Sequence, residues 1–218
     1  MIDNSEMSIN MMNAIRNGNT RMAEKLLDAG ENINASVDWG CDRHTALQLA
    51  VSYHYRDLVH MLLNRSSINV SDTFPSNGKA PIHMASCNGD VMLVDLLLKY
   101  GAKIESKTDT LMTPLHVAVY WANPGVVSFL LKQGADLYAR TCRRDNDNSI
   151  MCNSASPMDI AMNRDGFHSR SSVRDLLVQE TRARCIAFMM GQHPRLGKNS
   201  LISALEPEIA RAIYELVG

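Results

Sequence analysis

A unit of about 33 residues recurs along this chain, and no single copy carries enough apolar surface to fold alone. "TALQLAVSYHYRDLVHMLLNRSSIN" begins at Thr45, "APIHMASCNGDVMLVDLLLKYGAKI" at Ala80 and "TPLHVAVYWANPGVVSFLLKQGADL" at Thr113. A fourth copy, "SPMDIAMNRDGFHSRSSVRDLLVQE", begins at Ser156, and a partial copy, "MMNAIRNGNTRMAEKLLDAGENIN", precedes them all. Self-similarity at a fixed period constrains the fold more tightly than composition does. Each copy reads as two short helices. Thr113 is placed to cap the first, and Pro114 suits its first turn because the missing N–H would be unpaired there anyway. Leu115, Ala118 and Val119 share one face, and the small residues Ala50, Ala85, Ala118 and Ala161 let neighbouring helices approach. A turn around Ala122-Asn123-Pro124 leads to the second helix, whose apolar face is Val126, Val127, Leu130 and Leu131, with Gly134 as a left-handed end. The pairs Leu26-Leu27, Leu62-Leu63, Leu97-Leu98, Leu130-Leu131 and Leu176-Leu177 mark five second helices. Helices of two to three turns are marginal in water, so the copies must stack into one continuous core.

The pattern Thr113-Pro114-Leu115-His116-Val117-Ala118, with Gly134-Ala135-Asp136 after the Leu pair, resembles the ankyrin repeat. The resemblance implies an all-α solenoid of helix-turn-helix units with projecting hairpin loops and a helical C-terminal cap. It covers residues 8–180 as a repeat domain, with copies near 8–40, 41–75, 76–108, 109–141 and 152–180. Residues 181–218 form a helical tail outside the repeat. Three positions depart from the pattern: Ala80 stands for Thr, Asp159 for His, and Ser66 for a helix-ending Gly. Residues 139–155 lengthen one hairpin, and 163–172 lengthen the last helix–helix turn; insertions in such arrays fall in loops, often on the binding side.

The resemblance implies a non-catalytic protein-binding module that uses hairpin tips and the concave helix face. Tyr120 and Trp121 follow the small residues of the first helix, at positions that face the groove in ankyrin proteins; Tyr53 shares that register. Two adjacent large aromatics cannot both enter one core, and exposed aromatics are common interface anchors. Trp39 and Phe74 sit in polar hairpins and are expected to reach a partner too. Arg143 and Arg144 are expected to help electrostatically. His83 and His116 are expected to make structural hydrogen bonds between neighbouring turns.

The tail carries Cys185 and "LEPEI", Leu205 to Ile209. It is similar in layout to the SOCS-box and F-box-like tails of ubiquitin-ligase adaptors, although Thr181 stands where a SOCS-box Leu belongs and Glu206 separates Leu205 from Pro207. A plain cap is the other reading, with the apolar stripe Ile209, Ile213 and Leu216 covering the last repeat. If the tail recruits a ligase subunit, Cys185, Leu205, Pro207 and Ile209 carry the contact and the repeats choose the substrate of a cullin-type E3 ligase. A third reading is an inhibitor of a transcription factor.

Other classes find little support in the residues. The 22 basic and 23 acidic residues leave a net charge of −1, so no global field draws the chain to nucleic acid or membrane. No apolar run is long enough to span a bilayer, and no secretory signal is read at the N-terminus. The five scattered cysteines suit free thiols in a reducing, cytoplasmic or nuclear compartment. No phosphate loop, G-x-S-x-G or supported Cys/His pairing is present. His54 and His60 lack ligand company, and "DNDNS" lacks the Gly and Glu of a calcium loop, so neither a metal nor a cofactor is expected.

Overall fold

The structure, a computed structural model, describes residues 4–39, 42–65, 67–74, 76–144, 150–151, 155–162 and 171–189. Among the described residues ten helices run in pairs: α1 (Asn4–Arg16) with α2 (Thr20–Asp28), α3 (Ala46–Ser52) with α4 (Arg56–Leu63), α5 (Pro81–Asn88) with α6 (Val91–Lys99), α7 (Pro114–Tyr120) with α8 (Pro124–Lys132), and α9 (Pro157–Met162) with α10 (Ser171–Met189). Two small antiparallel hairpins interrupt the helices. In one, β1 (Ser36–Trp39) pairs with β2 (Asp42–Thr45); in the other, β3 (Arg143–Arg144) pairs with β4 (Ile150–Met151). Along the inner row α1, α3, α5, α7 and α9 each pack on the next, while α2 packs on α4 and α8 on both α6 and α10 in the outer row. This is the all-α solenoid expected.

Burial follows the period. Ala50, Ala85 and Ala118 have no exposed surface, and Ala161 is also buried, so the inner helices meet across small side chains. Leu62, Leu97, Leu130 and Leu177, one from each of four outer helices, are fully buried in a single hydrophobic cluster. The Leu pair of α2 is only half-buried, as suits the first unit of a stack.

Helix starts are built by reciprocal side-chain bonds. Thr45 Oγ1 accepts from the Gln48 N–H, and Gln48 Oε1 accepts from the Thr45 N–H at 2.9 Å. Thr113 and His116 repeat the arrangement. Ala80 has no side-chain acceptor, so only the return bond survives, from its N–H to His83 Nδ1 at 3.0 Å. Its backbone (φ −85°, ψ 165°) is nearly that of Thr113 (φ −84°, ψ 167°).

The same side chains reach onward to the next hairpin. His83 Nε2 donates to the carbonyls of Ser106 (3.0 Å) and Met112 (3.2 Å), one on each side of the hairpin. His116 Nε2 does the same for Ala139 (3.1 Å) and Ala155 (3.3 Å). Gln48 Nε2 donates to the Asp72 carbonyl at 3.0 Å. Because Nδ1 accepts and Nε2 donates, each imidazole is the neutral tautomer, and burial holds both pKa values below the ordinary histidine value. Asp159 breaks the series. It has no proton to pass onward, and its carboxylate instead takes the N–H (2.8 Å) and hydroxyl (2.7 Å) of Ser156. Those bonds hold its pKa below the usual carboxylate range.

The split placed after residue 180 falls inside α10, which continues unbroken to Met189. The helices α2, α6 and α8 end at Gly30, Gly101 and Gly134, all with φ near +90°. No glycine lies between Ser171 and Met189, and an i,i+4 pair between Glu180 and Arg184 at 2.8 Å straddles the expected boundary.

Two outcomes follow from these bonds. Restoring the missing cap with Ala80→Thr is expected to stabilise the fold by about 1 kcal/mol, read from denaturant unfolding. Since His83 and His116 have folded-state pKa values below the unfolded one, the unfolded chain takes up protons first as pH falls below about 6.5. Stability is therefore expected to drop between about pH 7.5 and pH 5.5. The double variant His83→Gln/His116→Gln, which can mimic Gln48, should show a shallower drop in Tm over that range.

Candidate functional site

The inner helices all finish on one edge, so residues at the same repeat position line up there. Arg16 and Asn17 close α1, Ser52 and Tyr53 close α3, Cys87 and Asn88 close α5, and Tyr120 and Trp121 close α7. The chain then turns through a left-handed residue in all four units: Gly18, His54, Gly89 and Ala122, with φ from +55° to +74°. That turn carries side-chain bonds from one repeat to the previous one. Tyr55 Oη donates to the Arg16 carbonyl at 3.1 Å, and Asn88 Nδ2 to the Val51 carbonyl at 3.1 Å. Asn123 Nδ2 reaches both the Ser86 and Cys87 carbonyls at 2.8 Å. The helix ends are thus locked in register, and whatever they expose is presented on a rigid ledge.

What they expose is aromatic. Tyr53 is 42 % exposed, Tyr120 49 % and Trp121 41 %. Tyr120 meets Trp121 edge-on with ring centroids 5.7 Å apart, and Tyr53 stacks on Tyr55 at 5.8 Å. Each pair holds its members in place, which lowers the entropy lost on binding. Between the pairs stand the smaller Cys87 and Asn88, both half-buried. Burial pushes the Cys87 thiol pKa up, which disfavours the reactive thiolate.

Phe74 is a correction. It was expected to project from its hairpin, but it is 5 % exposed and sits edge-on to His44 at 4.9 Å. The reason is the Asn77-Gly78 turn. The N–H of Gly78 donates to the Phe74 carbonyl at 2.8 Å and the N–H of Phe74 to the Lys79 carbonyl at 2.9 Å, which folds the ring back onto the preceding hairpin. A β-carbon on Gly78 would lie 2.3 Å from Asp109 Oδ1, so successive hairpins abut here without room for a side chain. The Asp109 N–H donates to the Asn77 carbonyl at 3.2 Å, and that of Cys142 to the Thr110 carbonyl at 2.9 Å.

The backbone of Trp39 lies in β1, opposite Asp42, and that of Arg143 and Arg144 in β3; their side chains lie outside the described residues. The bond from Cys142 to Thr110 sets β3 beside the hairpin that precedes α7. Cys185 belongs to α10, its side chain again outside the described residues, as are Leu205, Pro207 and Ile209 altogether. One exposed side chain escaped the sequence reading. Leu111 is 37 % exposed with φ +56°, at the hairpin position that Gly78 fills in the preceding unit. A strained, exposed apolar residue at a hairpin tip is the kind of outlier that accompanies function.

Elsewhere among the described residues, a cleft of about 370 Å³ between α2 and α4 is lined by Glu24, Asp57, His60, Met61, Asn64 and Arg65. No group of three His, Cys, Asp or Glu among the described residues is arranged to hold a metal ion. No helix among them is long and apolar enough to cross a membrane.

Comparison with known proteins agrees with this geometry. FPV031, a Fowlpox virus (strain NVSL) protein named for its ankyrin repeats, is 28 % identical over 147 residues, or 67 % of this chain and 41 % of its own length. Protein phosphatase 1 regulatory subunit 27 of Mus musculus is 40 % identical over 65 residues, 30 % of this chain and 42 % of that protein. Tyrosine-protein kinase HTK16 of Hydra vulgaris is 28 % identical over 113 residues, 52 % of this chain but 14 % of the kinase. The chain thus spans less than half the length of each of these relatives. A family model of ankyrin repeats (three copies) matches residues 3–73 and 65–141, and with the paired helices and their hairpin-stitching imidazoles in view, the chain belongs to the ankyrin-repeat family.

Proposed function

We propose that this chain is a non-catalytic binding module whose partner protein docks on the ledge formed by Tyr53, Tyr120 and Trp121. The supporting observation is that Tyr53 and Trp121, at the same repeat position, and the adjacent Tyr120 are exposed on one edge of a rigid stack, with Tyr53 held by Tyr55 and Tyr120 and Trp121 by each other. Leu111 extends the surface to the hairpin tips, and Arg143 and Arg144 supply positive charge on the next hairpin. Phe74 is excluded by its burial. That one relative is named as a regulatory subunit fits a role exerted through binding. Once a partner is in hand, Trp121→Ala is expected to weaken its binding at least tenfold while leaving helicity unchanged by circular dichroism. A loss of helicity in that variant would place Trp121 in the core instead, and unchanged affinity would defeat the proposal.

A second reading rests on the tail sequence. "LEPEI" after a repeat array suits a substrate-recognition adaptor of a cullin-type ubiquitin ligase, with Cys185, Leu205, Pro207 and Ile209 on the recruiting element. The truncation that tests it ends after Met189, because a cut at residue 180 would sever α10. Ligase subunits captured by the full chain and lost on truncation would support the adaptor; identical partners from both chains would make the tail a cap.

A further inference from the structure

Three Asn-Gly pairs lie in this chain, Asn17-Gly18, Asn77-Gly78 and Asn88-Gly89, and each glycine has a left-handed φ between +64° and +74°. Such a pair carries a latent reaction, because glycine puts no side chain between its own nitrogen and the asparagine Cγ. The fold restrains two of the three. In Asn77, Oδ1 accepts the Lys79 N–H at 2.9 Å, Nδ2 donates to Ser76 Oγ at 3.1 Å, and the carbonyl takes the Asp109 N–H. Asn88 is half-buried, and its Nδ2 donates back to the Val51 carbonyl of the preceding repeat. The following repeat presses on the same turn, since a β-carbon on Gly89 would lie 2.8 Å from Asn123 Oδ1. Asn17 holds the repeat position of Asn88. The side-chain bonds at these turns run backward, from Tyr55 to Arg16, from Asn88 to Val51 and from Asn123 to Ser86. In the first unit of the described stack no preceding helix receives one, and the exposed Asn17 side chain makes no hydrogen bond among the described residues. The glycine N–H groups are all engaged, Gly18 with the Ile15 carbonyl at 2.9 Å, Gly78 with that of Phe74 at 2.8 Å and Gly89 with that of Ser86 at 3.4 Å. The freedom of the side-chain amide is what sets Asn17 apart.

From this contrast we propose that Asn17 is a modification site, the place where the folded chain deamidates without an enzyme. When the turn opens locally, the Gly18 nitrogen gives its proton to solvent base and attacks Asn17 Cγ. The N–Cγ bond forms, the Cγ–Nδ2 bond breaks, and Nδ2 takes a proton from water and leaves as ammonia. Water then opens the cyclic imide at either carbonyl. The product is aspartate or, with the main chain routed through the side chain, isoaspartate. One water is consumed, one ammonia is released, and nothing is oxidised or reduced. Either product sets a carboxylate at the repeat position that Tyr53 and Trp121 occupy further along the ledge. The isoaspartyl form also lengthens the backbone beside Gly18, where a β-carbon would already lie 3.2 Å from the Tyr55 ring. Tyr55 is the ring that stacks on Tyr53, so the change reaches the ledge itself.

The test incubates the full chain in mildly alkaline buffer, folded and in denaturant, and follows each Asn-Gly pair by peptide mapping with mass spectrometry. In the folded protein Asn17 should convert at least about fivefold faster than Asn77 or Asn88, the factor that one intramolecular hydrogen bond is worth. In denaturant, with the restraints gone, the three rates should converge. Asn17→Gln, whose longer side chain closes such a ring far more slowly, should abolish the early acidic species and leave circular dichroism unchanged. Conversion led by Asn77 or Asn88, or an Asn17 that stays intact while the others convert, would overturn the inference. The same ordering and ratio in denaturant would overturn it too, by assigning the preference to local sequence instead of the fold.

Discussion

His83 and His116 each accept a bond from the start of their own helix and give one to both sides of the following hairpin. Through that double role an imidazole fixes a helix N-terminus, a hairpin and the repeat boundary between them. Leaving such a ring without its partners would strand buried polar groups at about 1–3 kcal/mol each. Gln48 fills the role one repeat earlier with an amide, which also accepts at one end and donates at the other. Asp159 accepts but cannot donate, and the stitch stops there. The ledge depends on this row, because helices held in register at their starts must also finish in register.

The fold was largely legible because stacking demands a period. The Leu pairs and small alanines mark which side of each helix is buried, and the structure buries them accordingly. Tyr120 and Trp121 were legible too, since adjacent bulky rings cannot share one core. Phe74 was not: its fate turned on the Asn77-Gly78 turn folding the ring onto His44, a contact thirty residues away in sequence. The end of the repeat region at residue 180 was drawn from the family period, and α10 runs past it to Met189. Trp39, Arg143, Arg144 and the tail residues are placed by sequence alone, at most with their backbone position.

The contrast between the two faces of each inner helix carries the functional argument. One face is alanine and leucine and is spent on neighbouring repeats. The end of each helix carries different side chains at equivalent places: serine, cysteine and tyrosine at one position, and tyrosine, asparagine and tryptophan at the next. Identical backbone positions with different side chains are how a repetitive scaffold acquires a non-repetitive surface.

The long hairpin before α9 is closed at its neck. The Thr141 N–H donates to the Ala155 carbonyl at 3.1 Å, the Thr141 hydroxyl takes the Ala155 N–H at 3.3 Å, and His116 clasps Ala139 and Ala155 from below. Just inside that neck the Cys142 N–H still holds the Thr110 carbonyl, and β3 pairs with β4 beyond it. Doubling a loop beyond such a clasp costs only about 0.6 kcal/mol in closure entropy. Evolution, or an engineer, can therefore lengthen or shorten the turn that joins β3 to β4 at little cost to the scaffold beneath.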